Sequence, residues 1–285
     1  MAGLLNGLER LGLGSLKSAD VLEDEEKKDN TPERPAQKKV EIPKVLEKDL
    51  VYDKSFTCKV CRKEFTAKVM KTGKSKLLGI DFALRPRYEG IAAEKYDVIL
   101  CPNCGYAALS RYFDGLIDAQ ARLIRDNISK NVILTKYIGD TYGFDQALER
   151  YKLALANAVV KKCRLSERAF ICLKTAWVLR SYQEALEGSG EADADKIREL
   201  KSQENEYLRA AYDGFLEARQ KEDSPIAGMD SVTLDYLLAE LAAYFKDYEV
   251  ASRMIAGILT MAGANARIKD KARILKDQIL EAKKG

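Results

Sequence analysis

The amino-acid sequence reads as a mainly α protein: a small β-rich module organised by four cysteines, followed by an α-α repeat array. Three observations carry this reading. Two Cys-x-x-Cys pairs stand forty residues apart, helical apolar spacing dominates almost everything after Ser110, and a pattern of small and large residues recurs three times along those helices. At 285 residues the chain is long enough to bury a core without disulfides. Its composition, 46% apolar and 32% charged, is that of a soluble protein rich in charge. The balance of 48 basic against 44 acidic residues leaves +4, too little to point by itself to nucleic acid or a membrane.

Histidine is absent. That excludes the Ser-His-Asp, Cys-His and zinc-hydrolase arrangements that need an imidazole. Asp, Glu, Lys and Tyr remain for acid-base work, but no nucleophile-base pair is visible, and the chain is expected not to be an enzyme. No apolar stretch reaches the roughly 18 residues of a membrane span. Met1-Ala-Gly-Leu-Leu-Asn lacks the basic start and long apolar run of a secretory signal. The expected location is therefore cytoplasmic, where closely spaced cysteines act as metal ligands rather than bridges.

In chain order, residues 1–22 hold leucines at 4, 5, 8, 11, 13 and 16, a short apolar helical face weakened by four glycines. They read as a frayed terminus or as a short motif that docks in cis or in trans. Residues 23–48 are dominated by Glu, Lys, Asp and Pro, with no aromatic residue, and read as a disordered charged linker. Residues 49–109 carry short strand-like runs: Leu50-Val-Tyr, Phe56-Thr-Cys, Phe65-Thr-Ala-Lys-Val and Tyr96-Asp-Val-Ile-Leu-Cys.

Within that module lie Cys58-Lys-Val-Cys61 and Cys101-Pro-Asn-Cys104-Gly. A Cys-x-x-Cys turn aims two thiolates at one ion, and two such turns supply a tetrahedron. Pro102 pre-sets the second turn and Gly105 supplies a positive φ after it, whereas Arg62 stands where the first turn prefers glycine. Lys59, Arg62 and Lys63 offset the −2 of a four-thiolate site. The favoured reading is one structural zinc per chain in a zinc-ribbon-like module, held by Cys58, Cys61, Cys101 and Cys104. A mononuclear iron on the same four sulfurs, or a dithiol redox switch, stands as the alternative. Cys163 and Cys172 sit in helical, partly apolar patterns and read as small core hydrophobes.

From 58 to 104 there are ten Lys or Arg and five Asp or Glu, a local +5. Nucleic-acid binding by this loop is therefore an alternative, though not the favoured one, because few aromatic residues interleave for base stacking. Arg85, Arg87 and Tyr88 are the candidates for a specific partner contact; their other reading is packing of the ribbon on the helical body.

Residues 110–285 read as helices. Phe113, Leu116, Ile117, Ile124 and Ile128 mark a first face, and further helical patterns run about 144–162, 166–187, 192–220, 230–245, 248–262 and 265–284. The recurring set is Phe144/Ala147/Tyr151/Ala154, Leu208/Ala211/Phe215/Ala218 and, more loosely, Tyr248/Ala251/Ile255/Ile258. This is the spacing of tetratricopeptide-like helix pairs, at unequal separations of 64 and 40 residues. Such stacks bind peptides or proteins on a concave face. Tyr236, Glu240 and Tyr244 are the candidate groove residues, against the reading that they are ordinary helix positions.

Tyr52-Asp-Lys-Ser-Phe-Thr-Cys-Lys-Val-Cys, Leu84-Arg-Pro-Arg-Tyr-Glu-Gly, Tyr96-Asp-Val-Ile-Leu-Cys-Pro-Asn-Cys-Gly-Tyr-Ala-Ala-Leu-Ser and Ala147-Leu-Glu-Arg-Tyr-Lys-Leu-Ala-Leu together resemble the bacterial domain-of-unknown-function family 2225. The resemblance runs from about Asp49 to the C-terminus, and the leucine-rich start is similar to clostridial-type members. It implies a cytoplasmic protein with a zinc-ribbon-like part and tetratricopeptide-like helices, the four cysteines matching one by one. It implies no activity. The expected function is a metal-binding adaptor or scaffold for a protein or peptide partner, away from membranes.

Overall fold

The computed structural model describes residues 46–134, 137–190 and 193–284, all within the compact unit Lys44–Gly285. The leucine motif expected over 1–22, and the linker expected over 23–48 as far as residue 45, lie outside the described residues.

Among the described residues, three antiparallel hairpins make up the β-rich part. The first joins β1 (Val51–Thr57) to β2 (Glu64–Met70), with Phe56 opposite Phe65. The second joins β3 (Leu77–Ile80) to β4 (Pro86–Tyr88), and its register slips at Leu78. The third joins β5 (Val98–Leu100) to β6 (Ala107–Leu109). The sequence reading found β1, β2 and β5. β3, β4 and β6 fall outside the expected strand runs, since Leu-Leu-Gly-Ile, Pro-Arg-Tyr and Ala-Ala-Leu are short, lack alternation and hold a single β-branched residue, Ile80.

The third hairpin is buried on both faces, which explains its unbroken apolar sequence. Ile99 and Ala108 join a core with Cys58, Cys101, Cys104, Phe65, Phe113 and Ile124. Val98, Ala107 and Leu109 point the other way, into the core of the helices with Ala147, Leu148, Tyr151 and Ala154. One two-stranded ribbon is thus a shared wall between two cores.

After it, the expected first helix is broken. α1 (Ser110–Phe113) stops at Asp114-Gly115, α2 (Asp118–Ile124) follows, and a π-type turn covers Arg125–Ser129. Phe113 and Ile124 are buried as expected, but Ile117, at the start of α2, is exposed.

Six longer helices follow: α3 (Phe144–Val160), α4 (Leu165–Ser189), α5 (Ala194–Lys221), α6 (Ser231–Tyr244), α7 (Tyr248–Thr260) and α8 (Ala266–Ala282). Their boundaries follow local chemistry. Asp193, Asp230, Asp247 and Asn265 accept backbone N–H bonds at the starts of α5 to α8. Gly190 ends α4 in the left-handed region, at φ 74°. Consecutive helices pack on one another. α4 lies innermost, burying Phe170, Ile171, Cys172, Leu173, Val178 and Leu179 around its circumference. The α4–α5 crossing is close enough that a Cβ on Gly214 would stand 2.9 Å from the Ala169 Cβ. Of the recurring pattern, Ala147, Tyr151, Ala154, Leu208, Ala211, Phe215, Ala218, Ala251, Ile255 and Ile258 are buried, and Phe144 and Tyr248 are half-buried. Cys163 and Cys172 are buried too, their thiols pushed up by burial to about 12 and about 11.

Candidate metal centre

Each Cys-x-x-Cys pair forms the loop of a hairpin, the first between β1 and β2 and the second between β5 and β6. The two loops are built alike. The N–H groups of Cys58 and Cys101 donate to the carbonyls five residues on, at Lys63 (3.0 Å) and Tyr106 (2.8 Å). Arg62 and Gly105 donate back to the Cys58 and Cys101 carbonyls, at 2.9 and 3.1 Å. Both turns need a left-handed residue after the second cysteine, and Arg62 (φ 62°) and Gly105 (φ 73°) fill it. Arg62 takes that conformation as an exposed residue, with its guanidinium 3.4 Å from Asp118. Gly105 has a second constraint: a Cβ there would lie 2.7 Å from a methyl of Val132.

The result brings the four predicted ligands together. The sulfurs of Cys58, Cys61, Cys101 and Cys104 all lie within 4.8 Å of one another. Cys58 and Cys104 are 3.5 Å apart, and Cys61 and Cys101 3.7 Å. A tetrahedral ion with metal-sulfur bonds of about 2.3 Å needs sulfurs about 3.8 Å apart, so the residues fit such an ion. All six cysteines are free thiols. Three of the four ligands are buried and Cys61 is half-buried. The Val60 N–H points at the Cys58 sulfur at 3.4 Å, and the Asn103 amide lies 3.9 Å from the Cys101 sulfur. Both donors stand at x positions of the motifs, Val60 through its backbone and Asn103 through its side chain.

Electrostatics favour a cation at the centre. Hydrogen bonds from the Cys104 and Cys58 thiols hold the Cys101 thiol well below the ordinary thiol range. The Cys101 sulfur in turn pushes Cys58 up to about 12 and raises Cys104 as well, with burial adding to both. Four sulfurs this close cannot all ionise against one another. A divalent ion reverses that, and Lys59, Arg62 and Lys63 add positive charge at the exposed side of the first loop.

The other predicted site residues fall elsewhere, and most of them face one another within the chain. Arg85 is 2% exposed. Its guanidinium is gripped by both oxygens of Glu184 (2.5 and 3.0 Å), by Asp81 (2.6 Å) and by Ser181 (2.8 Å). Glu240 accepts the Ala83 N–H at 2.9 Å with one oxygen and the Tyr236 hydroxyl at 3.1 Å with the other. Tyr236 is buried, and the Tyr244 ring lies 5.1 Å from that of Phe82. Trp177 donates its indole N–H to the Ala83 carbonyl at 3.1 Å. The expected groove residues Tyr236, Glu240 and Tyr244 therefore clasp the loop Asp81–Arg85 of the same chain, and Arg85 anchors that loop to Ser181 and Glu184. Ala83 and Leu84 there hold positive φ angles of 55° and 60°, an unfavourable conformation that the clasp over-determines. Burial raises the Glu240 carboxyl; it also opposes ionisation of Asp81, whose bonds from Arg85 and the Phe82 N–H nevertheless hold it below the usual range.

Among these candidates Arg87 and Tyr244 are exposed and Tyr88 is half-buried. The basic loop also loses phosphate-facing charge. Arg85 is buried in its ion pairs, Lys95 is buried 2.6 Å from Glu47, and Lys68 pairs with Asp53 at 3.1 Å. Sequence inspection missed Asn157, fully buried on α3, whose amide donates to the Gly105 carbonyl at 2.9 Å and ties the second metal loop to the helices. Its signal is a polar residue on the face already marked by Tyr151 and Ala154.

No helix among the described residues is long and apolar enough to cross a membrane. The chain belongs to the family described as an uncharacterized protein conserved in bacteria (DUF2225), which matches residues 51–279. No curated protein and no solved structure matches it.

Proposed function

We propose, on the premise of a bacterial family whose description assigns no activity, that the protein is a non-enzymatic cytoplasmic adaptor. One structural zinc ion per chain cross-links its β-rich module, and a tetratricopeptide-like helical array carries that module towards a protein partner. The observation that supports this most is the closed four-sulfur cluster. Four protein thiolates fill a tetrahedral ion, leaving no corner for substrate or water, and this is the arrangement of structural zinc. Burial of the recurring Ala, Tyr and Phe positions at the helix contacts supports the repeat reading. A reducing cytoplasm keeps the sulfurs available as ligands.

Metal analysis and an absorption spectrum, on protein purified without air or added metal, test the reading. One zinc per chain and no visible colour is the expected result. One iron with thiolate charge-transfer bands would replace the adaptor with an electron-transfer protein. A reversible disulfide among the four cysteines would make it a redox switch. Salt-dependent retention on nucleic acid, abolished by Arg87→Glu, would turn it into a nucleic-acid-binding ribbon.

A further inference from the structure

The β3–β4 hairpin does not bury its apolar residues. Leu77, Leu78 and Ile80 are 49%, 58% and 53% exposed, and every residue of β3 is open to solvent. Three large aliphatic side chains in four residues form a patch that soluble surfaces ordinarily avoid unless it meets something. Lys74, Lys76 and Arg87 surround it, exposed and without an ion pair among the described residues; Glu89 is the one exposed acid on the same hairpin. Leu77 pairs across the ribbon with Tyr88. Tyr88 in turn lines a cavity of about 470 Å³ whose walls include the rings of Tyr52, Phe56 and Trp177 together with the charged groups Lys54, Lys174, Glu94, Asp97 and Asp114. An exposed aliphatic finger and a basic margin thus adjoin, across one hairpin, a recess that the hairpin lines with Pro86 and Tyr88 of β4.

We propose that this surface docks an acidic segment of a partner protein, the segment placing one aliphatic or aromatic side chain in the recess and its carboxylates against Lys74, Lys76 and Arg87. The inference rests on the adaptor reading and names the surface it would use. Three features select this occupant. A recess of about 470 Å³ has room for a side chain and the backbone beside it and suits a peptide, whereas a bilayer surface has nothing to insert into it. The register slip at Leu78 interrupts the ladder, so the finger meets its partner through side chains rather than by adding a strand. A second copy of the chain would set Lys74, Lys76 and Arg87 against themselves, which like charge opposes.

The test uses the full-length, metal-loaded protein and a displayed library of random dodecapeptides, followed by fluorescence anisotropy on the selected sequences. The expected consensus is an apolar residue flanked by Asp or Glu. Its affinity should fall by about tenfold or more in Leu78→Ser and in Ile80→Ser. It should fall similarly in Arg87→Glu, and with rising salt. Ile274→Ser, which removes an exposed apolar residue from α8 (59% exposed), should leave it unchanged. The substituted side chains are exposed, so unchanged circular dichroism and metal content should accompany the loss. A basic consensus, no consensus, or affinity indifferent to the hairpin variants would overturn the proposal. So would binding to phosphatidylglycerol vesicles that depends on Leu78 while no peptide is selected, or self-association that depends on it. Peptides whose binding is lost only in helical variants would sink the hairpin surface while leaving the adaptor reading intact; iron in place of zinc would remove the adaptor reading by a separate measurement.

Discussion

Around the cysteines the apolar material is modest: Phe56, Phe65, Ile99, Tyr106, Phe113 and Ile124 gather about the sulfurs, with ring pairs 4.8 to 6.0 Å apart. In the helices, by contrast, a continuous core runs from Ala147 on α3 to Ile279 on α8. The first region is built of short hairpins, which are marginal on their own; the second is built of long helices that bury an apolar face at every contact. The difference teaches that the same chain draws on two resources, a four-cysteine cluster able to hold a metal ion at one end and close packing at the other.

The largest test of that contrast is Cys101→Ser. Small zinc peptides draw about 10–16 kcal/mol from their metal, so loss of one ligand is expected to unfold the hairpins while α4 to α8 keep their helical signal. Metal analysis with circular dichroism and hydrogen exchange reads it; unaltered metal content would break the four-ligand account. The converse is Phe215→Ala in α5, fully buried among the helices. It should cost about 3–5 kcal/mol in denaturant unfolding while the metal stays bound. Simultaneous loss of metal would mean that the two regions do not differ as described.

Gly105→Ala sharpens the seam between them. It forces a side chain into a left-handed turn and against Val132, at a cost of about 1–3 kcal/mol, and should weaken metal retention against a chelator. The equivalent change at Arg62, already a non-glycine in that conformation, should leave retention unaltered. The smallest effect concerns pH. Burial raises the Glu240 carboxyl, with Tyr236, Lys271 and Asp81 as its other neighbours. The folded chain therefore holds this proton more tightly than the unfolded one, and the associated stability is present at acid pH and lost as pH rises through the raised value. Glu240→Gln keeps an acceptor for the Ala83 N–H without that titration. Its thermal midpoint should decline less than that of the wild type between the carboxylate range and neutrality; parallel curves would remove Glu240 as the cause.

Much of this was legible in the residues. Helical spacing located α3 to α8 within a few positions because each is long, periodic and bounded by Asp, Asn or Gly. The cysteines announced their cluster because two short-range motifs each fix two ligands. Harder to read were the strands β4 and β6, whose pairing is imposed by the turns they adjoin rather than by their own preference. Harder still was the role of Arg85 and Glu240. Arg85 finds Glu184, and Ala83 finds Glu240, across 99 and 157 residues of sequence. Only three-dimensional proximity shows that two candidate surfaces cover each other.

The ribbon Val98–Leu109 also bears on how such a protein can be divided. Composition changes at Leu109-Ser110, and a cut there looks natural on paper. Yet Val98, Ala107 and Leu109 on one side of that cut cover Ala147 and Tyr151 on the other, while Phe113 and Ile124 beyond it complete the core about the sulfurs. Severing the chain at that point would strip each piece of part of its own interior. The two regions, so unlike in how they are stabilised, are expected to be expressed, inherited and exchanged as a single unit.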